Sequence, residues 1–225
     1  MNNPGSMVRV LVLVEGQTEE RFVNDVLAPF FETSQVFLSP KILTTKVVKN
    51  GKDFKGGVST YSKIEKHLNN LLGDSDAHVT TLIDYYGLPT DTPGMSDRPV
   101  GSPLERVIHV ENAIHRKFNG NMRLLPYLML HEFEALLFTD PVALAAVIPD
   151  RGLAPKIVNV MNGLAPEEIN ETPTSAPSKR ILEVIPAYRK TLHGPTAAKR
   201  IGLAELRRKC PHFDNWVTAL EGLSG

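Results

Sequence analysis

Val8-Arg9-Val10-Leu11-Val12-Leu13-Val14-Glu15-Gly16-Gln17-Thr18-Glu19-Glu20 is the stretch whose reading decides the fold. Its first half is β-branched or aliphatic apart from Arg9. That reads as a central strand buried on both faces, as in a parallel sheet. The run stops at Glu15-Gly16. Beyond it, Phe22, Val23, Val26, Leu27, Phe30 and Phe31 recur at helical spacing. Thr18 is the expected N-cap, and Glu19 and Glu20 fall in the first turn, where the helix dipole favours acids. The opening unit is strand, short acidic loop, helix.

The pattern repeats outward from there. A second strand is expected over residues 41–48, then a glycine- and lysine-rich loop over 50–58. A helix capped by Ser59 or Thr60 runs to Leu72, with Ile64, Leu68, Leu71 and Leu72 on one face. Residues 78–83 read as a strand that ends at Asp84-Tyr85-Tyr86-Gly87. Residues 88–103, with four prolines, form a long irregular loop of the kind that often carries function. A helix over 104–118 leads to a strand over 122–130 that runs into His131-Glu132-Phe133-Glu134. Strands alternating with helices imply an α/β chain with a mostly parallel, doubly wound sheet. After about residue 140 the pattern turns helical, with helices expected near 142–147, 179–189, 202–209 and 213–223. The proline-bearing stretch 159–178 reads as irregular. The division expected is an α/β core over residues 7–140 and a helical extension over 141–225 packed on it, together one domain.

Composition narrows the function. Of 225 residues, 42% are hydrophobic and 22% charged, which is a globular profile and not a disordered one. Lys+Arg and Asp+Glu both number 25, so a protein that coats duplex nucleic acid through bulk positive charge is disfavoured. Any such contact needs a local basic patch. The single cysteine, Cys210, rules out an intrachain disulfide and a cysteine-rich zinc site. No apolar run approaches the ~20 residues of a membrane span. The leader Met1 to Ser6 lacks the basic start of a secretory signal and reads as a disordered start, with Met7 as the expected initiator. A cytoplasmic location is expected. There is no P-loop, dinucleotide fingerprint, His-Glu-x-x-His motif or Gly-x-Ser-x-Gly elbow.

What the chain does have is acid at strand ends. In a doubly wound sheet, ligands bind beyond the carboxyl ends of the strands. Three expected strands end in acids: Glu15, Asp84, and Glu132 with Glu134. Adjacent ends lie about 4.8 Å apart. Carboxylates that close repel one another unless they share a hard cation such as Mg²⁺ or Mn²⁺. Any one of these acids is more simply a helix cap, but three in register favour a metal. Glu19 either faces the dipole or serves as an outer ligand, and either Glu132 or Glu134 faces the metal. Tyr85 and Tyr86 pack the loop or stack on a base or ribose. His131 reads as a hydrogen-bonded structural residue. For phosphate, Ser178-Lys179-Arg180 opens a helix after Pro177, with Ser178 as a cap. Lys190, Lys199, Arg200, Arg207, Arg208 and Lys209 add dispersed basic character.

The Glu15-Gly16-Gln17-Thr18-Glu19 core resembles the first motif of the Toprim fold, found in topoisomerases, primases and the overcoming-lysogenization-defect nucleases. That family places an Asp-x-Asp pair after a later strand. Asp84 matches the first aspartate, but Tyr86 stands at the second. More closely, the chain is similar to a Toprim-like bacterial and archaeal domain family of undefined role. The similarity rests on Glu15 to Glu19, DYYGLP at 84–89, LHEFEALLF at 130–138, APSKR at 176–180 and IGLAELRRKCPHFDNW at 201–216. The resemblance implies a Toprim-like (Rossmann-like) fold and pairing with an ABC- or structural-maintenance-type ATPase encoded nearby. It also implies a role in anti-phage defence. Carried over by position, Glu15, Glu19, Asp84 and Glu132 or Glu134 form the acidic site, and Lys179 stands where related nucleases place a catalytic lysine.

Two readings follow. In the first, a Mg²⁺-dependent nuclease uses Glu15 and Asp84 with Glu132 or Glu134 as metal ligands, Lys179 steadying the transition state. In the second, the chain is a non-catalytic or regulated partner of the ATPase, as the tyrosine at 86 and the neutral charge suggest. Oligomeric state is not legible.

Overall fold

The computed structural model describes residues 7–43, 60–169 and 175–224. The leader, the glycine-rich loop at 50–58, the expected strand beyond Leu43 and residues 170–174 of the proline-bearing stretch lie outside the described residues.

The first strand, β1 (Val8–Val14), forms where the apolar run requires it. Val10, Val12 and Val14 enter one buried cluster, and Leu11 and Leu13 enter the other. A strand buried on both faces has no reason to alternate polar and apolar residues, and this one does not. The helical run that follows is α1 (Gln17–Phe22), a π-helical turn at Val23–Leu27, and α2 (Ala28–Phe31). Pro29 lacks an N–H, and the wide turn sits just ahead of it, so one continuous periodicity is read out as three pieces. The cap is Gly16, not Thr18: Thr18 lies inside the helix and is buried.

The second strand, β2 (Val36–Ile42), sits upstream of its expected position. It pairs with β1 in parallel from Val8↔Val36 to Val14↔Ile42. Pro40 hides it in the sequence, yet β2 lies at the sheet edge, where a missing N–H is tolerated. Next come α3 (Tyr61–Leu72) and β3 (Ala77–Asp84). Thr60 is the α3 N-cap by backbone position, but the Asp91 carboxylate, from the long loop, accepts the Tyr61 amide. After the loop comes α4 (Pro103–Lys117), opened by a capping box between Ser102 and Glu105.

The expected strand at 122–130 is two fragments, β4 (Leu124–Leu125) and β5 (Leu128–Met129), both parallel to β3. Pro126 interrupts the ladder. The hydroxyl of Thr81 replaces it, donating to the Tyr127 carbonyl at 2.6 Å and accepting the Tyr127 amide at 2.8 Å. The chain then reverses at His131, whose φ is 69°, and enters a 3₁₀ turn over Phe133–Thr139.

The rest is helical: α5 (Pro141–Ala145), α6 (Leu153–Met161), α7 (Pro177–Val184), α8 (Lys190–Ile201), α9 (Leu203–Lys209) and α10 (Pro211–Glu221). α6 and α8 were not expected. In α8 the Gly194-Pro195 pair reads as a turn but lies within the helix. Gly194 allows a close approach: a Cβ there would stand 3.1 Å from both a Phe133 ring carbon and the Tyr188 hydroxyl. The sheet order is β2-β1-β3-β4, with β5 also paired to β3. α3 and α4 cover one face; α1, α8 and α10 contribute to the other. Trp216 ties α10 to the sheet, donating its indole N–H to Thr80 at 2.9 Å and stacking on Tyr127 at 4.4 Å between ring centroids. No helix among the described residues is long and apolar enough to cross a membrane.

Candidate functional site

The order β2-β1-β3 makes the carboxyl ends of β1 and β3 the point where the winding of the sheet reverses, the usual ligand crevice of such folds. Val14 pairs with Leu82, so Glu15 and Asp84 leave adjacent strands side by side. Glu19 follows one helical turn after Glu15. Its carboxylate accepts the Gly16 amide at 3.0 Å, which folds it back over the end of β1. Asp84 accepts the Phe133 amide at 2.9 Å, fixing the start of the 3₁₀ turn. That turn sends the fully buried Glu134 inward, where Tyr188 donates its hydroxyl at 3.4 Å.

These acids meet at one ammonium. Lys190 Nζ lies 3.2 Å from Asp84 Oδ2, 3.4 Å from Glu134 Oε2 and 3.7 Å from Glu19 Oε1. It is the first residue of α8, and the close seat of Gly194 one turn later brings it there. The Glu15 carboxylate lies alongside Gly87, both oxygens 4.0 Å from where a Cβ would stand.

Among the described residues the charges do not balance. Burial, then the charge of Asp84, pushes the Glu15 carboxyl up to about 8, against the pull of Lys190. The same causes raise Glu19. Glu134 is pushed to about 7 by burial, then by Asp84 and Glu132, again opposed by Lys190. Burial works against the Lys190 charge, but Asp84, Glu134, Glu19 and Glu15 outweigh it and hold its pKa well above the usual range. Among the described residues one lysine serves several carboxylates, and the buried oxygens Glu19 Oε1 and Glu134 Oε2 make no hydrogen bond.

A stability prediction arises here. A carboxyl whose pKa is higher folded than unfolded binds its proton more tightly when folded. Its contribution is fully present below about 4.5 and is lost as pH rises through about 8. Glu15→Gln removes that loss. The metal-free variant is expected to match wild type near pH 4.5 and to exceed it at pH 9 by on the order of 3 kcal/mol. Urea unfolding at the two pH values checks this; an equal offset at both pH values removes the electrostatic account.

Not every expected site residue joins the cluster. Glu132 faces away: its Oε2 accepts the Ser178 amide at 2.9 Å. That carboxylate fills the start of α7, where a phosphate was expected. Ser178 is not the cap either; Ala176 is, with Pro177 in the first turn. Arg180 is occupied by the carbonyls of Ser175 and Val160. Lys179 is exposed and has no ion pair with the cluster among the described residues. Sequence reading missed Lys190 as a site residue and Tyr188 altogether. The usable signal was a lysine opening a helix, masked by the Gly194-Pro195 pair. His131 is buried, and its Nε2 lies 3.2 Å from the Glu167 carbonyl.

Carboxylate oxygens are the donors that Mg²⁺ and Mn²⁺ prefer, and the excess of buried carboxylate among the described residues, with two oxygens held by Lys190 charge alone and by no hydrogen bond, fits such an ion. Among the described residues no three acids, histidines or cysteines are yet drawn together at ligating range. The Lys190 ammonium stands between them.

The fold and site define an α/β protein with a carboxylate cluster at the switch point of its sheet. Residues 14–221 match the family described as Domain of unknown function (DUF4276), and the chain belongs to that family. It matches no curated protein. Among solved structures it is similar to the C-terminal region of the Burkholderia pseudomallei OLD protein. The identity is 13%, the TM-score 0.47, and the match covers 97% of this chain and 99% of that one. A likeness at that level assigns no residue role and no chemistry to this chain.

Proposed function

We propose that the chain is a divalent-metal-dependent phosphodiester-cleaving enzyme, a nuclease. The observation that carries this is the convergence of Asp84, Glu134 and Glu19 on one ammonium, with Glu15 alongside, at the carboxyl ends of adjacent parallel strands. A structural ion pair needs one acid for one base, and among the described residues this site has a surplus of buried acid. A Mg²⁺ or Mn²⁺ ion held by Glu15, Asp84 and Glu134, with Glu19 supporting, would polarise the phosphate and a bound water. Lys190, and not Lys179, is the basic group placed to meet a phosphate oxygen and steady the charge that grows on it. Tyr188 holds Glu134 in orientation through its hydroxyl. The backbone amides of Gly16 and Phe133 do the same for Glu19 and Asp84.

The direct test incubates the purified chain with labelled single- and double-stranded DNA and RNA. Cleavage is expected with Mg²⁺ or Mn²⁺, to cease with EDTA and to return on adding excess metal. Intact substrates in every arm, or products unchanged by EDTA, sink the reading.

A further inference from the structure

Tyr86 is used neither by the core nor by the acidic cluster. It follows Asp84 by two residues and directly precedes Gly87, against which the Glu15 carboxylate lies. It sits in a single 3₁₀ turn, Tyr85–Gly87, at the mouth of the site. The turn is held on both sides. Tyr85 is buried, and its hydroxyl accepts a hydrogen bond from Arg98 at 2.9 Å, with the guanidinium 6.0 Å from the ring centroid. The Tyr86 amide donates to the His131 carbonyl at 3.0 Å, and the Leu88 amide closes the turn on Tyr85 at 3.2 Å. Yet Tyr86 is 38% exposed, and among the described residues its side chain makes no hydrogen bond, ion pair or ring contact. A large aromatic ring is thus carried on a backbone-anchored turn, with none of these side-chain interactions among the described residues, two residues from the candidate metal ligand Asp84.

We infer that Tyr86 is a stacking platform for an unpaired base next to the phosphate being cleaved, so that single-stranded nucleic acid is the preferred substrate. This rests on the nuclease reading of the same site. A base offers its π-face only when it is unstacked, and stacking on an aromatic ring tolerates any base. Backbone anchoring lowers the ordering cost of that contact. The near-neutral chain supplies little non-specific pull on duplex backbone, so a contact that duplex cannot make carries more of the selection.

The test measures binding, not cleavage. Fluorescence anisotropy with labelled single strands of DNA and RNA, and with the matching duplexes, is run in Ca²⁺ or EDTA at fixed salt. Wild type is expected to favour single strands. Tyr86→Ala is expected to weaken single-strand binding by roughly tenfold while Tyr86→Phe stays near wild type and duplex affinity is unchanged. A fully abasic strand is expected to bind wild type and Tyr86→Ala alike. DNA and RNA arms show whether the sugar matters as well. Overturning results are equal loss on strand and duplex, wild-type affinity in Tyr86→Ala, or no binding by wild type. Failure of the metal site shows up separately, as absent cleavage with Tyr86-dependent strand binding intact.

Discussion

Asp84→Asn and Glu15→Gln are each expected to abolish metal-dependent phosphodiester cleavage while leaving a folded chain. Both swaps are isosteric and replace a carboxyl that could ligate a metal with a neutral amide. The asparagine keeps an oxygen to accept the Phe133 amide, so the 3₁₀ turn that carries Glu134 stays in place. Removing a mere outer-sphere partner of a metal typically costs ten- to a hundredfold, and a direct ligand is expected to cost more than about a hundredfold. Glu15→Gln should also gain stability at high pH, as set out above. A variant that is more stable and inactive is hard to explain for a structural acid, and ordinary for a site that keeps like charges together for chemistry. Rates from single-turnover cleavage, with circular dichroism and calorimetric binding of Mn²⁺, check this. Wild-type rates in both variants end the mechanism.

Lys190→Met is the second large effect. The substitution keeps the apolar stem and deletes the cation that, among the described residues, Asp84, Glu134 and Glu19 share. Two consequences separate cleanly. Without metal, the chain is expected to lose about 1–2 kcal/mol near neutral pH. That figure lies below the cost of breaking a fully buried pair, because the lysine side chain is 40% exposed and partly screened. The penalty should fade in acid, as the raised carboxyls take up protons and no longer need a counter-charge. Added Mn²⁺ should restore the lost stability, since the ion supplies the missing positive charge. Activity should still fall by roughly a hundredfold or more, because a metal does not replace a donor aimed at the substrate phosphate. Lys179→Met, on the exposed start of α7, should cost far less. Thermal unfolding across pH with and without metal, run beside cleavage rates for both lysine variants, decides between them. A Lys179 loss that matches or exceeds the Lys190 loss would return the catalytic role to Lys179.

The two lysines show where sequence reading stops. Lys179 carried the stronger local signal: a serine, a proline and a basic pair opening a helix. The structure fills that helix start with the carboxylate of Glu132 from a distant turn. Nothing within reach of residues 176–180 along the chain announces it. Lys190 carried a weak signal, because Gly194-Pro195 reads as a break. In the folded chain Pro195 lies inside α8, and Gly194 is the residue that lets the helix press against Phe133 and Tyr188.

The same division runs through the sheet. The all-apolar run of β1 and the acids after β1 and β3 are local facts, legible because burial on two faces and a short acidic turn each leave a mark on consecutive residues. β2 was expected too far along the chain because an edge strand tolerates Pro40, and the break of the expected 122–130 strand into β4 and β5 was hidden because the hydroxyl of Thr81 stands in for a backbone ladder that Pro126 breaks. By itself the sequence determined the α/β class, the central strand, and Glu15 and Asp84 as neighbours at its exit. Only the tertiary structure brings Glu134 beside Asp84 while Glu132 turns to the start of α7, after the left-handed His131, and brings Lys190 rather than Lys179 against those carboxylates. Burial of a central strand is written in consecutive residues, whereas the partner of a buried charge is whichever side chain the packing of remote helices delivers.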